Sequence, residues 1–409
     1  MEIRKISLLG HKDHGKSTII GRMLMLTGSV PETRIQEARR ASNELGVGFE
    51  PAYLLDTFAD ERSEGMTIDS TRVQILFEGV GFELIDVPGH EELIKSMLSG
   101  ASSSQFSLVV VSAKKDEGIT NQTKRHIYVS KLLGMSKYVV AVNKMDLSGY
   151  DKKVFNSIKK DLTMFFRSVG IMDDMFTMVP VSGYTGENII KRSENMPWYN
   201  GNTLLTALKL KTNSLTESGD NSGRIFLQSS MEFGDKKAFL GEVLSGHFTI
   251  HDKLKVFPGG TDLEVSEFRR GNEPADEIMK GEGIALITDS NHLIDVRGLV
   301  VVNDESSIRV TEELNLKLFF VDKPSQKLTI YLNNVGTQVQ EFTIRNVVDP
   351  TTGYPVERHE IEPFDTAEVK VTLSKPVACD VFEKCRELGR IVLSSSNKLI
   401  AAGIITSVD

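Results

Sequence analysis

The stretch GHKDHGKST, residues 10–18, limits what this chain can fold into more than any other. It follows an apolar run at 6–9 and leads into a helix-compatible stretch at 18–26. Two glycines five apart, then Lys16-Ser17, make the spacing of a phosphate-binding loop, and a strand before it and a helix after it are the context that spacing needs. Glycines let the backbone wrap so that successive N–H groups face inward, and the start of the helix adds positive potential there. Gly10, Asp13, His14, Gly15, Lys16, Ser17 and Thr18 are therefore the expected phosphate-contacting residues. Lys16 is expected to neutralise the outer phosphates, and the Ser17 hydroxyl to ligate Mg²⁺. His11 and His14 are not at metal-ligand spacing, and packing is the role expected of them inside the loop.

The loop alone does not choose between ATP and GTP; three later segments do. Asp86-Val87-Pro88-Gly89 closes an apolar run, so the Asp86 carboxylate can hold an Mg²⁺ water and the Gly89 amide can reach a γ-phosphate. Asn143-Lys144-Met145-Asp146 closes a later run. A carboxylate at Asp146 accepts from both N1–H and the exocyclic amine of guanine, a donor pair that adenine lacks on that edge. The Lys144 stem can pack over the base, and Asn143 can brace the loops. Ser182, Gly183 and Tyr184 follow a further run, where backbone amides can meet the guanine carbonyl. All of these sit at the carboxyl ends of expected strands, where open α/β sheets bind ligands. The expected ligand is GTP or GDP with Mg²⁺. Thr67, in ERSEGMTID, is the expected mobile Mg²⁺ ligand, engaged only while a γ-phosphate is present. His90 would stand beside that phosphate and orient the attacking water or bear charge in the transition state. His90, Lys16 and Thr67 are the catalytic candidates.

Apolar runs at 6–9, 82–87, 107–112, 138–142 and 178–181 alternate with helical stretches such as 91–98 and 154–166. Val, Ile and Leu fill the runs without polar alternation, which suits strands buried on both faces of a mostly parallel sheet. Repeated strand–helix units predict an α/β domain with helices on both faces. Residues 211–222 are polar, rich in Ser, Asn and Gly, and read as a linker after a nucleotide-binding domain at 1–210. Short, evenly spaced β-rich runs follow, and they predict all-β barrels at 223–305 and 306–409. A net charge of −8 offers no footprint for non-specific nucleic-acid binding, and no DNA partner is expected. Cys379 and Cys385 have neither zinc spacing nor a disulfide framework around them. No apolar run approaches the roughly 18 residues of a membrane span, so no membrane partner is expected. The N-terminus lacks a signal-peptide pattern. A soluble, cytoplasmic protein is expected.

GHKDHGKST, DERSEGMTID, DVPGH, NKMD and VSGYTGEN resemble the GTPases of the elongation factor Tu and elongation factor 1-alpha class. That resemblance implies a partner-stimulated GTPase domain followed by two β-barrels, and it gives His90 the water-positioning role. Within the class STIIGRML, QTKRHIYVSKLLGMSKYVVAVNKMDL, AFLGEVLSG and KLKVFPGG look closer to the GTPase subunit of ATP sulfurylase. Such a subunit would partner a catalytic sulfate adenylyltransferase subunit in sulfate activation, and this is the preferred expectation. The alternative is a translation factor of elongation factor 1-alpha type, partnering aminoacyl-tRNA and the ribosome. The chain departs from the sulfurylase subunits at Asp13-His14, where they usually carry Asp-Asp. Lys12 replaces the small apolar residue typical of both groups, which would alter an apolar gate over the catalytic water.

Overall fold

The computed structural model describes residues 3–44, 48–55, 71–86, 106–213, 222–289, 295–358 and 360–408. The chain divides into two compact units, residues 1–216 with 349–354 and residues 217–348 with 355–409.

The first unit is built on strands β1 (Ile3–Gly10), β2 (Thr71–Phe77), β3 (Val80–Asp86), β4 (Phe106–Ser112), β5 (Lys137–Asn143) and β6 (Phe176–Pro180), in the order β2-β3-β1-β4-β5-β6. Every pairing from β3 to β6 is parallel, and β2 lies antiparallel at the edge. β4 is buried at all of its positions, as a strand covered on both faces must be. Five helices accompany the sheet among the described residues: α1 (Lys16–Thr27), α2 (Glu32–Glu44), α3 (Asn121–Leu132), α4 (Lys152–Ser168) and α5 (Leu204–Asn213). In α4 the buried residues Phe155, Ile158, Leu162, Phe165 and Phe166 recur at helical spacing and form one apolar stripe. One continuous core includes Leu8 of β1, Ile19 and Met23 of α1, Leu84 of β3 and Val110 of β4. The parallel directions put the carboxyl ends of β1, β3, β4, β5 and β6 on one edge of the sheet. Gly10, Asp86, Asn143 and the turn after Pro180 are neighbours for that reason alone.

The fold class agrees with the sequence reading, and the differences lie at element ends. The helix expected from 18 starts at Lys16, and the one expected at 154–166 runs from Lys152 to Ser168. The helix expected at 91–98 lies outside the described residues. α5 continues to Asn213, into the stretch read as a linker, because Thr212 is buried one turn beyond Leu208 and accepts a hydrogen bond from Arg4 at 2.6 Å. The edge strand β2 and helices α2 and α3 have no counterpart among the segments singled out in the sequence.

In the second unit an eight-stranded sheet pairs Arg224–Phe233 with Lys236–Ser245 near its middle, and a two-stranded ribbon joins His247–Thr249 to Glu277–Met279. A second sheet closes into a six-stranded barrel. Its ring runs Thr329–Leu332, Arg390–Ser395, Lys398–Val408, Arg309–Phe320, Thr366–Cys379 and Val335–Asp349, and the last pairs with the first. The two β-rich parts share an apolar seam of Leu244, Val300, Val302 and Ile308 against Ala378, Cys385 and Leu388. Arg224, fully buried beside that seam, donates to Asp380 at 2.8 Å and to the Ser307 carbonyl at 2.8 and 3.0 Å. Cys379 and Cys385 are free thiols inside the protein, and burial pushes each up to about 12.

Candidate functional site

Both loop glycines are dictated by close approach. Gly10 has φ +140°, and a β-carbon there would lie 2.4 Å from the Val110 carbonyl oxygen of β4. Gly15 has φ +83°, and a β-carbon would lie 2.6 Å from Asn143 Nδ2. Between them Lys12–His14 form one 3₁₀ turn. Gly15 caps α1 without a side chain, so the first-turn amides keep no side-chain acceptor at the cap. That leaves a ring of N–H groups suited to an anion.

Lys16 is 93% buried, and its ammonium folds back over the loop to the carbonyls of Gly10 at 3.2 Å and His11 at 3.3 Å. Burial lowers its pKa, and the nearby carboxylates of Asp86 and Asp13 raise it. An ammonium held by neutral carbonyls in a desolvated loop gains strongly from a bound phosphate. Ser17 is half-buried in the first turn of α1, and Asp86 ends β3. Hydroxyl and carboxylate oxygens are the hard donors that Mg²⁺ takes when it shares its shell with phosphate and water, and the residues fit that cation. The Thr18 hydroxyl is turned away, donating to Glu50 Oε1 at 2.7 Å. His14 is buried, with Nδ1 3.2 Å from the Val110 carbonyl, and burial lowers its pKa to about 4. It adds no charge to the loop near neutral pH. Thr67, Gly89 and His90 lie outside the described residues.

Asn143 ties two loops together. Its Nδ2 donates to the His14 carbonyl at 2.9 Å, and its Oδ1 accepts from the Gly183 amide at 2.8 Å. Lys144 follows with φ +62° and opens the 3₁₀ turn Met145–Ser148. Asp146 sits in that turn with a buried Oδ1 that has no hydrogen-bond partner among the described residues. A buried carboxylate oxygen left unbonded is costly, and a two-donor base edge would satisfy it.

In the turn after β6, two of the three backbone amides have partners within the protein. The Ser182 amide is already donated to the Glu187 carbonyl at 3.2 Å, and the Gly183 amide to Asn143. Of the three amides expected to meet a guanine carbonyl, Tyr184's alone has no hydrogen bond among the described residues. Arg22 of α1 holds this turn from below, donating to the Gly183 carbonyl at 3.0 Å and to the Tyr184 carbonyl.

Sequence reasoning missed three side chains here: Arg22, Glu50 and Glu117, whose Oε2 lies 2.7 Å from Lys144 Nζ. Arg22 was within reach of inference, since it stands four residues after Thr18 on the helix the loop opens. Glu50 and Glu117 come from loops remote in sequence, and no spacing pointed to them.

A buried lysine and an uncapped helix start belong to one loop, and Asn143 ties that loop to a later turn whose Asp146 has a buried oxygen unbonded among the described residues. That arrangement is able to hold a guanine nucleotide by both ends. The family model "Elongation factor Tu GTP binding domain" matches residues 1–216. The chain belongs to this GTPase family. A second model, "GTP-eEF1A C-terminal domain-like", matches residues 315–406. Elongation factor 1-alpha of Ignicoccus hospitalis is 33% identical, with 98% of this chain and 95% of that protein aligned. Its namesake from Hyperthermus butylicus is 32% identical over the same shares. Among solved structures, Sup35 complexed with GDP covers 100% of this chain and 94% of its own at 19% identity and a TM-score of 0.44. As a member of the family the chain binds and hydrolyses GTP. Its relatives favour the translation-factor alternative over the sulfurylase subunit preferred from the sequence: similarity along the whole chain outweighs the short local stretches that suggested the latter.

Proposed function

We propose that this GTPase is a translation factor of elongation factor 1-alpha type, which binds aminoacyl-tRNA in its GTP form and meets the ribosome in the cytoplasm. The observation that carries this reading is end-to-end similarity to proteins of that name, over 98% of this chain. In this reading Gly10, Asp13, His14, Gly15, Lys16, Gly89 and, through its backbone amide, Thr18 surround the phosphates. Ser17, Thr67 and, through water, Asp86 hold Mg²⁺, which neutralises charge on the outer phosphates when bound. Asp146 grips the guanine edge, with Asn143 and Ser182 bracing, the Lys144 stem covering the base, and the Gly183-Tyr184 turn facing its carbonyl. His90 orients the attacking water, and the segment around Thr67 is held only in the GTP state. The domain division proposed with it is 1–210, 223–305 and 306–409.

The test is protection of the aminoacyl ester from hydrolysis by the purified full chain. Protection with a non-hydrolysable GTP analogue and little with GDP is the expected outcome. Equal, weak protection in both states, with a sulfate adenylyltransferase catalytic subunit captured from native extract, would overturn it.

A further inference from the structure

Beside the base turn lies a charged cluster of which the nucleotide reading uses Lys144 alone. Lys144 Nζ lies 2.7 Å from Glu117 Oε2, and the other carboxylate oxygen, Oε1, lies 2.8 Å from Lys114 Nζ. The Lys144 and Glu117 side chains are only 21% and 22% exposed, so this pair is largely withdrawn from water. Their segments follow adjacent parallel strands, with Ser112 directly across from Asn143. We propose that Glu117 is the positioning residue of the guanine pocket: it fixes Lys144 beside the base turn before nucleotide arrives. The proposal rests on the reading that the turn at 143–146 takes guanine.

Three physical points carry it. A free lysine side chain holds rotamer entropy that binding must otherwise remove. Glu117 removes it in advance, so the Lys144 stem is already placed when the base enters. A lone carboxylate beside the base turn would repel an anionic ligand, yet Lys114 offsets that charge and the three-residue cluster keeps a net charge of +1. Finally, Glu117 reaches Lys144 across two loops, from the turn after β4 to the turn after β5, so it sets the geometry between the walls of the pocket. The carboxylate also stays ionised to low pH. Burial pushes its pKa up, but hydrogen bonds from Lys114, Lys144 and Ser112 outweigh burial and hold it at about 2.

The experiment is release of a fluorescent GDP from the full chain by stopped flow, for wild type, Glu117→Gln, Lys144→Met and the double variant. Glu117→Gln is expected to speed release roughly two- to fivefold, the upper part of the range for one such ion pair. GTP release should quicken by the same factor, because the cluster lies at the base end. The double variant should release no faster than Lys144→Met alone, since Glu117 acts only through Lys144. Glu117→Asp should recover part of the loss, which separates positioning from collapse of the loop. Unchanged or slower release in Glu117→Gln, or a double variant that multiplies the two single effects, overturns the proposal. Wild type that loses its fluorescent GDP equally to ATP and GTP would instead sink the guanine reading, and this inference with it.

Discussion

Asp146 shows how one atom carries a specificity. Its Oδ1 is buried and unbonded among the described residues, a desolvation cost that a donor-bearing ligand relieves. Asp146→Asn replaces half of the acceptor pair with a donor. It should weaken GTP binding about a hundredfold or more and favour xanthosine triphosphate, read by competitive titration of the two nucleotides. Unchanged GTP affinity would remove Asp146 from base recognition. His14 makes a prediction about pH. Its folded pKa of about 4 lies below the ordinary value of 6.5, because burial disfavours the charged ring. The unfolded chain therefore takes up a proton first as pH falls, and stability is lost between about pH 6.5 and 4. The loss is at most about 3 kcal/mol. Urea unfolding at pH 7 and pH 5 should show a smaller drop in His14→Gln than in wild type, and equal drops would contradict the buried-neutral account.

At the scale of elements, the loop and the helices behave differently under substitution. Gly10 is pinned by the backbone of β4, which nothing can move cheaply, so Gly10→Ala forces the end of β1 and the loop that follows away from β4. A loss of roughly 2–4 kcal/mol in unfolding free energy is expected, together with loss of nucleotide binding. A helix cap far from the site gives the contrast. Asp151 accepts from the Lys153 amide at 2.7 Å and starts α4. Asp151→Ala should lower stability by about 1 kcal/mol and leave GDP release unchanged. Slower or faster release there would mean that α4 communicates with the base turn. The strands of the first unit were legible because they are buried on both faces and so appear as unbroken apolar runs. β2 was not, since an edge strand with intermediate and exposed positions carries a weaker pattern. The end of α5 was misjudged for a related reason: Lys211, Thr212 and Asn213 are polar, and only packing of Thr212 against Arg4 explains why the helix goes on.

At the scale of the whole molecule, the second unit is held by a charged contact that the sequence did not announce. Arg224 and Asp380 are 156 residues apart, and their side chains are 0% and 4% exposed. Removing one partner leaves the other buried and uncompensated. Arg224→Met should therefore cost roughly 3–5 kcal/mol in that unit. Chemical unfolding followed by both fluorescence and nucleotide release should show that transition move while nucleotide release stays in place. A joint shift would mean that the two units unfold as one. By itself the sequence determined the local chemistry: a glycine-rich turn after an apolar run, a lysine and a serine where phosphate and cation would sit, and an aspartate suited to guanine. These follow from residue type and short-range spacing, which backbone geometry converts directly into structure. Only the tertiary structure decided which amide of the 182–184 turn stays open, that Thr18 turns to Glu50, and that Glu117 holds Lys144. Each of those depends on which loops a parallel sheet brings to its carboxyl edge, and that proximity is set by the packing of strands far apart in the chain.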